Sequence, residues 1–387
     1  MARLGPFANE RRVVVGVSGG ADSMALALLL AGWGAPLACI VDHGLRTGSC
    51  AEAALTAERL AARGIAARVV QADLRPGPGL AGRARAARYG LLRAACREAG
   101  CADLLVAHHA VDQAETVRMR ADAGSGPQGL AGMAAITYLS DIRLLRPLLG
   151  VAPGRLRATL AAAGLAWAED PTNQDRRTLR ARLRSSMSGD DVQDAFAAAA
   201  SHGAARRRAG PDLANELAEV AIYPEGYAHV PGRLGPDALS ALVWTVSGQA
   251  YPPPRAALAP GLRPRTLHGV LIQPAGRLGP GWVLAREPAA VRPPVPAAAG
   301  ARWDGRFTLA GECGGLATLG ALGRDAARFR RISRLPAAVL QGLPAIRRNG
   351  EMHVVPHLAF PDAGTCRNVR IWFDPPRPAA GASFLPA

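Results

Sequence analysis

The chain has 387 residues, and its 46 lysine and arginine residues against 30 acidic ones give a net charge of +16. All 46 are arginine, which excludes a Walker A phosphate loop, a protein kinase and a pyridoxal or Schiff-base enzyme, because each needs a lysine amine. The length predicts two or three domains, and a hydrophobic fraction of 49% indicates a globular chain. Its basic charge is explained equally by a nucleic-acid partner and by coding bias.

Strand-like and helix-like segments alternate over the first 190 residues. In chain order the pattern predicts a strand at Arg12–Val17, a helix at Ser23–Ala31, a strand at Leu37–Val41, a helix at Ala51–Arg63, a strand at Ala67–Gln71, a helix at Arg83–Ala99, a strand at Leu104–Ala107 and a helix at Asp112–Asp122. This alternation favours an α/β fold with a Rossmann-like parallel sheet and helices on both faces. Ligands of such sheets bind at the carboxyl ends of the strands.

The pattern changes near residue 188. A helix is predicted at Asp190–Arg208, and proline and glycine become dense at Pro252–Arg265 and Glu287–Pro296, which is typical of loops. Short strand-like runs follow from residue 301. We therefore expect a catalytic domain at 1–188, a helical and linker region at 189–300, and a small C-terminal domain at 301–387, so that smaller α and α+β domains follow the parallel sheet.

The six cysteines include no C-x-x-C pair, so the sequence predicts neither a zinc ribbon nor an iron–sulfur cluster. Six cysteines in a chain of this length do not make a disulfide framework, and a reducing compartment is their simplest location. The first twelve residues lack the apolar core of a signal peptide. These features predict a cytoplasmic protein.

The strongest local signal is the string Ser18-Gly19-Gly20-Ala21-Asp22-Ser23, which follows the first predicted strand and opens a helix. Backbone N–H groups of such a turn point at an anion, and the helix dipole adds partial positive charge. The two serines donate hydroxyl hydrogen bonds, whereas Asp22 needs either a Mg²⁺ bridge to phosphate or a helix-capping role. An ordinary capped strand–helix turn is the simpler alternative.

This string resembles the phosphate loop of the N-type ATP pyrophosphatases, which bind ATP with Mg²⁺ and activate a carbonyl oxygen by adenylation. Further strings follow in order: Val41-Asp42-His43-Gly44-Leu45-Arg46, Ala87-Arg88-Tyr89-Gly90-Leu91-Leu92, His108-His109-Ala110-Val111-Asp112-Gln113-Ala114-Glu115-Thr116, Gly124-Ser125-Gly126, Gly129-Leu130-Ala131-Gly132-Met133, Arg146-Pro147-Leu148-Leu149 and Trp167-Ala168-Glu169-Asp170-Pro171. Together they are similar, over residues 12–187, to the tRNA(Ile)-lysidine synthase family. The resemblance implies ATP-dependent ligation of lysine to C2 of the wobble cytidine in CAU-anticodon tRNA(Ile), which changes the codon read from AUG to AUA.

The resemblance also implies roles for individual residues. Asp112 and the Glu115 one helical turn later match the acidic positions thought to recognise lysine, and carboxylates are what a diamine needs. His108 and His109 are expected to contact phosphate or move a proton. Asp22 and Asp42 are the expected catalytic acids and Mg²⁺ ligands, although Asp42 has a turn-capping alternative.

Arginines are the expected contacts to phosphate and RNA. Arg46 and Arg88 are candidates for binding the substrate through phosphate. Arg177, Arg180, Arg182 and Arg184 lie in a basic run that suits a tRNA backbone, with a solvated helix end as the alternative. The C-terminal regions resemble tRNA-binding tail domains, and a homodimer is a possible assembly.

Three positions depart from the family pattern: Val111 replaces the first acid of an Asp-Asp pair, Ala123 replaces an arginine, and Ala181 replaces an asparagine. These departures leave open a degenerate tRNA-binding protein without catalysis. A tRNA thiolase of the same superfamily is a further alternative, for which Cys96 and Cys101 are the nearest approach to the cysteine chemistry such enzymes need.

Overall fold

The computed structural model describes residues 1, 4–7, 12–45, 47–74, 77–139, 141–169, 182–183, 186–311, 313, 316–361, 369–376 and 379. The chain divides into two compact units, Met1–Arg208 and Ala209–Gly381. Each has its own sheets and its own buried apolar side chains.

The first unit alternates strands and helices. Its elements are β1 (Arg12–Val17), α1 (Ala21–Ala31), β2 (Ala35–Asp42), α2 (Ser49–Ala61), β3 (Ala66–Gln71), α3 (Leu80–Glu98), β4 (Asp103–Leu105), α4 (Ala110–Asp122), α5 (Pro127–Leu130), β5 (Ile136–Tyr138), β6 (Arg143–Leu145), α6 (Pro153–Ala162) and α7 (Gly189–Arg208). The predicted elements are confirmed, with ends that differ by a few residues.

These strands form one six-stranded sheet in the order β3-β2-β1-β4-β6-β5. All neighbours run parallel except β5, which is antiparallel to β6. The direction of winding reverses between β1 and β4, and this reversal creates the crevice in which ligands of open α/β sheets bind. The predicted α/β class with a parallel, Rossmann-like sheet is therefore confirmed.

The central strand β1 is a valine run because both of its faces are covered. Val13, Val15 and Val17 pack in a core that includes residues of α1, α2 and α6. Val14 faces the opposite side, where it shares a core with Leu92 and other residues of α3. Burial of both faces fixes the strand, so the polar residues that follow it are held at a rigid edge.

The second unit is built from short helices and antiparallel strands. Its elements are α8 (Gly210–Leu217), β7 (Ala221–Ile222), β8 (Ala228–Val230), α9 (Pro236–Ser247), β9 (Arg265–Leu267), β10 (Val270–Pro274), β11 (Trp282–Arg286), β12 (Val295–Pro296), β13 (Arg302–Trp303), β14 (Phe307–Ala310), β15 (Ala317–Ala321), α10 (Ala337–Gly342), β16 (Pro344–Arg348), β17 (Glu351–Val354) and β18 (Arg370–Phe373). They form three sheets, in the orders β7-β8-β11-β10-β9, β12-β15-β16-β17 and β13-β14-β18.

The structure divides the chain at a different place from the sequence pattern. Helix α7, expected to open the second region, contacts α4 and α5 of the parallel-sheet unit, so the compact unit ends at Arg208 instead of 188. Residues 221–286, expected to be helical and linker, contain a five-stranded sheet. Its strands are two to five residues long, too short to show a period among the prolines and glycines.

The described helices include none that is both long enough and apolar enough to span a bilayer.

Candidate active site

The phosphate loop turns directly after β1. Gly19 has φ +85°, and a Cβ there would lie 2.7 Å from Thr56 Oγ1, so only glycine fits without strain. The Ser18 N–H donates to Ser23 Oγ at 3.1 Å, and the Ser23 hydroxyl donates to the Gly20 carbonyl at 3.0 Å. The Ala168 N–H donates to the Gly19 carbonyl at 2.9 Å, which ties a distant segment to the loop. The loop is therefore held in shape by its own hydrogen bonds.

Helix α1 presents its N-terminus to this loop. Its N-cap is Gly20, which makes no side-chain cap, so the N–H groups of Ala21 and Asp22 in the first turn lie where an anion binds. Asp22 does not serve as the N-cap, since it lies within the first turn. Its side chain is 38% exposed and extends from the loop into the crevice.

His109 joins the loop to helix α4. It is the N-cap of that helix, and its Nδ1 accepts a hydrogen bond from the Val111 N–H at 3.2 Å. Nδ1 therefore carries no proton, so the neutral ring must carry it on Nε2. Nε2 lies 3.4 Å from Asp22 Oδ2 and 3.5 Å from Asp112 Oδ2. One buried imidazole thus faces a carboxylate from the phosphate loop and one from α4.

The two acids expected to recognise lysine lie in different environments. Asp112 Oδ2 accepts from the His109 N–H at 3.0 Å and completes a capping box, while its side chain is 20% exposed. Glu115 is only 1% exposed, which excludes the solvated helix face typical of acids at this spacing. Acidic charge is therefore brought to the crevice side of α4, although Asp112 also stabilises the helix end.

His108 follows β4 and directly precedes His109, the N-cap of α4. Burial, and next the charge of Arg146, lower the pKa of His108 to about 4, while the charge of Asp112 opposes them. Its Nδ1 is buried and makes no hydrogen bond with the described residues. His108 is therefore neutral near pH 7, with a ring nitrogen ready for a ligand.

Asp42 ends β2 and is buried. Its Oδ1 accepts from the Gly44 N–H at 2.9 Å, and its Oδ2 accepts from Gln71 Nε2 at 3.3 Å. These bonds support the turn-capping alternative for Asp42. The expected Mg²⁺ role is not supported by a cluster, because no group of three or more His, Cys, Asp or Glu side chains within the described residues is arranged to hold a metal ion.

The expected arginine contacts are only partly visible. Arg88 is half-buried on α3, and burial lowers its pKa. Arg182 is exposed and helical. Arg46, Arg177, Arg180 and Arg184 lie outside the described residues, as does Ala181. Ala123 is the C-cap of α4.

Cys96 and Cys101 lie far from the phosphate loop. Cys96 is buried near the end of α3, and Cys101 precedes β4 at the amino edge of the sheet. A hydrogen bond between the two thiols lowers the pKa of Cys101 to about 7 and raises that of Cys96. Because ligands bind at the opposite edge, these cysteines do not favour the thiolase alternative.

Sequence reasoning missed several residues that shape the site. Gln113 donates to the Met133 carbonyl at 3.1 Å and accepts from the Met133 N–H at 2.7 Å, which holds the glycine-rich segment beside α4. Arg146 Nη1 donates to the Ala134 carbonyl at 2.8 Å and to Thr137 Oγ1 at 2.9 Å. The position of Arg146 directly after β6 was a readable signal, since polar residues after parallel strands meet at one edge.

Comparisons with known proteins identify the family of the domain that carries this loop. Residues 2–189 match the model of a PP-loop domain, which binds ATP. A tRNA(Ile)-lysidine synthase from Ruegeria pomeroyi is 36% identical over 89% of this chain and 88% of its own length. Another from Mesorhizobium japonicum is 37% identical over 85% and 79%, and one from Novosphingobium aromaticivorans is 45% identical over 49% and 61%.

Among solved structures, a U34-tRNA thiolase from Methanococcus maripaludis matches 54% of this chain and 75% of its own, with 19% identity and a TM-score of 0.42. The relatives from Ruegeria pomeroyi and Mesorhizobium japonicum match most of this chain, so their similarity extends beyond the PP-loop domain at 2–189. This chain belongs to the tRNA(Ile)-lysidine synthase family of PP-loop enzymes.

Proposed function

We propose that the protein uses ATP to ligate free lysine to C2 of the wobble cytidine in CAU-anticodon tRNA(Ile). The C2 carbonyl oxygen attacks the α-phosphorus of ATP and pyrophosphate leaves. The ε-amine of lysine then attacks C2, AMP leaves with the former carbonyl oxygen, and the nitrogen loses its proton. The observation that carries the proposal is the position of His109 Nε2 between Asp22 of the phosphate loop and Asp112 of α4.

The loop supplies the half of the site that binds ATP. Its backbone N–H groups, the hydroxyl of Ser18 and the N-terminus of α1 suit the phosphates that leave as pyrophosphate, while the Ser23 hydroxyl holds the loop through the Gly20 carbonyl. The site is preorganised, since the loop is fixed by its own hydrogen bonds. We expect the preorganised donors of the loop to contribute most to catalysis by stabilising the negative charge on the phosphates.

Acidic residues supply the half that binds the amine. Asp112 faces the loop through His109 and is open enough to receive an ammonium group. Glu115, one turn along α4, adds a second carboxylate on the same helix. His108 is kept neutral by burial, so a proton released from the attacking amine has an acceptor in the crevice.

The residues present fit Mg²⁺ held mainly by substrate phosphates. Asp22 and Asp112 each approach the same imidazole nitrogen within 3.5 Å, and Mg²⁺ is usually bound through one or two carboxylates while keeping water and phosphate ligands. When bound, the ion neutralises charge on the departing pyrophosphate. We assign its protein ligand to Asp22, since both oxygens of Asp42 already accept hydrogen bonds.

The test is incubation of the full-length protein with tRNA(Ile) transcript, ATP, Mg²⁺ and radiolabelled lysine. Label is expected in the CAU transcript and absent from one with a different anticodon. The variant Asp112→Asn is expected to raise the lysine KM by about 10- to 100-fold, the cost of one charge-assisted hydrogen bond, while ATP binding persists. Tight tRNA binding without label would contradict ligation, and loss of ATP binding in the variant would make Asp112 a metal ligand.

Contacts beyond the crevice remain proposals. Exposed Arg182 and the basic charge of the whole chain support tRNA binding by the segment around residue 182 and by the regions 189–300 and 301–387. A homodimer and a cytoplasmic location stay predictions from the sequence. Analytical ultracentrifugation with and without tRNA would test the assembly.

A further inference from the structure

A cluster of five basic side chains lies at the carboxyl edge of the sheet, beside the acids of α4. It consists of His43, Arg85, Arg88, His108 and Arg146, and is called the basic cluster below. The histidines follow β2 and β4, Arg146 follows β6, and the other two arginines lie on α3.

Helix α3 brings its arginines to this edge. Leu92 packs so closely on β1 that a Cβ at Gly16 would lie 3.1 Å from its Cδ1. In a parallel sheet the connecting helix runs from the carboxyl edge back to the amino edge. Arg88 lies one turn before Leu92 on the same face of α3, and Arg85 lies nearly one turn before Arg88. Both guanidinium groups therefore lie nearer than Leu92 to the carboxyl edge of the sheet, where β1 ends and the phosphate loop begins.

Arg88 has no counter-ion among the described residues. Within the part of the chain that the structure describes, its guanidinium makes no hydrogen bond or ion pair, and its ring contact is with Tyr89, 5.7 Å from the ring centroid. Arg85 lies over the same ring at 5.2 Å. Burial lowers the pKa of Arg88, and the nearby charge of Arg85 lowers it further. Removing a charge from water without a partner is unfavourable, so an external anion is expected to complete the site.

The imidazoles of His43 and His108 both interact electrostatically with Arg88. The Nδ1 atoms of His43 and His108 are buried and make no hydrogen bond with the described residues. The charge of Arg88 acts on both rings, and burial is the larger reason that their pKa values are lowered. Neutral imidazoles add hydrogen-bonding positions beside the guanidinium without adding charge. Arg146 adds a fixed cation, since its Nη1 is bound to Ala134 and Thr137.

His108 has arginines on one side and an acid on the other. The charges of Arg146, Arg85 and Arg88 and the opposing charge of Asp112 all act on this ring. A cation and an anion side by side are complementary to the ammonium and carboxylate groups of an amino acid. A phosphate suits this place less well, because Asp112 would repel it and the phosphate loop already serves ATP.

We propose that Arg88, supported by Arg85 and the two histidines, binds the α-carboxylate of the lysine substrate while Asp112 binds one of its ammonium groups. The proposal rests on the ligase function given above and names the part of the site that recognises an amino acid instead of a plain diamine. A planar guanidinium binds carboxylate through two parallel hydrogen bonds, which gives orientation as well as affinity.

The test compares lysine with cadaverine, which has both amines but no carboxylate. Equilibrium dialysis with the radiolabelled compounds, full-length protein and a non-hydrolysable ATP analogue gives both Kd values. Wild type is expected to bind lysine more tightly than cadaverine. Arg88→Gln is expected to weaken lysine binding by about 10- to 100-fold and to abolish the preference. Arg97→Gln, on the same helix but near its other end and paired with Asp141, is the matched control and is expected to keep the preference.

Three results would overturn the subsite: equal binding of lysine and cadaverine by wild type, an unchanged lysine Kd in Arg88→Gln, or equal weakening of both compounds. A variant that instead lost tRNA or ATP affinity alone would identify a phosphate contact. Failure of the ligase function appears separately, as wild-type protein that incorporates no label into tRNA. Even in that case, the dialysis still tests whether Arg88 makes the protein prefer lysine, which has a carboxylate, over cadaverine, which has none.

Discussion

Arg88 in the first unit and Arg306 in the second are both shielded from water, but only Arg306 has a carboxylate partner among the described residues. In the second unit, Arg306 donates through Nε to Asp304 Oδ2 at 2.8 Å and through Nη1 to the Gly226 carbonyl at 2.9 Å. Arg286 donates through Nε to the same carboxylate at 3.1 Å. Arg88 in the first unit has no such partner among the described residues. The difference is that Asp304 holds Arg306 in the scaffold, whereas Arg88 is left able to pair with an external anion.

The arginine–aspartate network of the second unit has strong electrostatic consequences. Burial lowers the pKa of Arg306 to about 10, while Asp304 opposes this shift. Both guanidinium groups depend on a single carboxylate, since Asp304 accepts from Arg286 and Arg306 and also from the Arg292 N–H. Removing that charge leaves two buried cations uncompensated, which is a more severe defect than the loss of one hydrogen bond.

The largest expected effect is on the stability of this network. Asp304→Asn should lower the free energy of unfolding by about 3–5 kcal/mol, measured by urea denaturation. Asparagine tolerates the positive φ of 51° at this position, so the change isolates the charge. Asp325→Asn, which breaks a partly exposed pair with Arg347, should cost less than about 1 kcal/mol. Equal costs would show that burial does not distinguish the two pairs.

The phosphate loop should show the next largest effect, in activity instead of stability. Asp22→Asn should slow pyrophosphate release by about 100- to 1,000-fold, the range for loss of one preorganised group that stabilises charge. The exposed Asp73→Asn, in the loop after β3, is the control and should retain the wild-type rate. Unchanged release in the Asp22 variant would remove this residue from the mechanism.

The neutral His108 makes stability depend on pH. Its pKa in the folded state is about 4, below the ordinary 6.5, so the unfolded chain takes up the proton first. Stability should fall as the pH drops from about 6.5 towards 4, by on the order of 3 kcal/mol at the lower limit. Urea denaturation at several pH values should show a shallower fall for His108→Asn than for wild type. Parallel curves would mean that the ring titrates normally.

The smallest expected effect is on the free energy of unfolding when Arg88 is replaced. Arg88→Gln should change the free energy of unfolding by less than about 0.5 kcal/mol, because no internal partner among the described residues is lost and a desolvated charge is removed. Arg306→Gln should cost several-fold more in the same denaturation experiment, since it leaves Asp304 with fewer donors. A large loss in the Arg88 variant would place that residue in the scaffold.

Much of the first unit was predictable from local patterns. The valine run of β1 and the helices that follow each strand were found because burial of both sheet faces leaves a continuous apolar run. The loop from Ser18 to Ser23 is recognisable because its adjacent glycines and its two serines fall within one short string that follows a strand. In the second unit, β14 pairs with β18 across about sixty residues of chain, and strands of two to five residues carry no readable period. The sequence therefore indicated short strands after residue 301, but neither their pairing into sheets nor the five-stranded sheet at 221–286.

The absence of lysine excluded a Walker A loop, and the order of motifs indicated, from sequence alone, an ATP-binding PP-loop and the family to which the chain belongs. Only the tertiary structure decided that a neutral His109 carries its proton on Nε2, that Asp42 is bound in a turn and that Arg88 has no counter-ion among the described residues. The reason is physical. A residue's type and spacing are local properties, whereas its protonation and pairing depend on which distant segments exclude water around it.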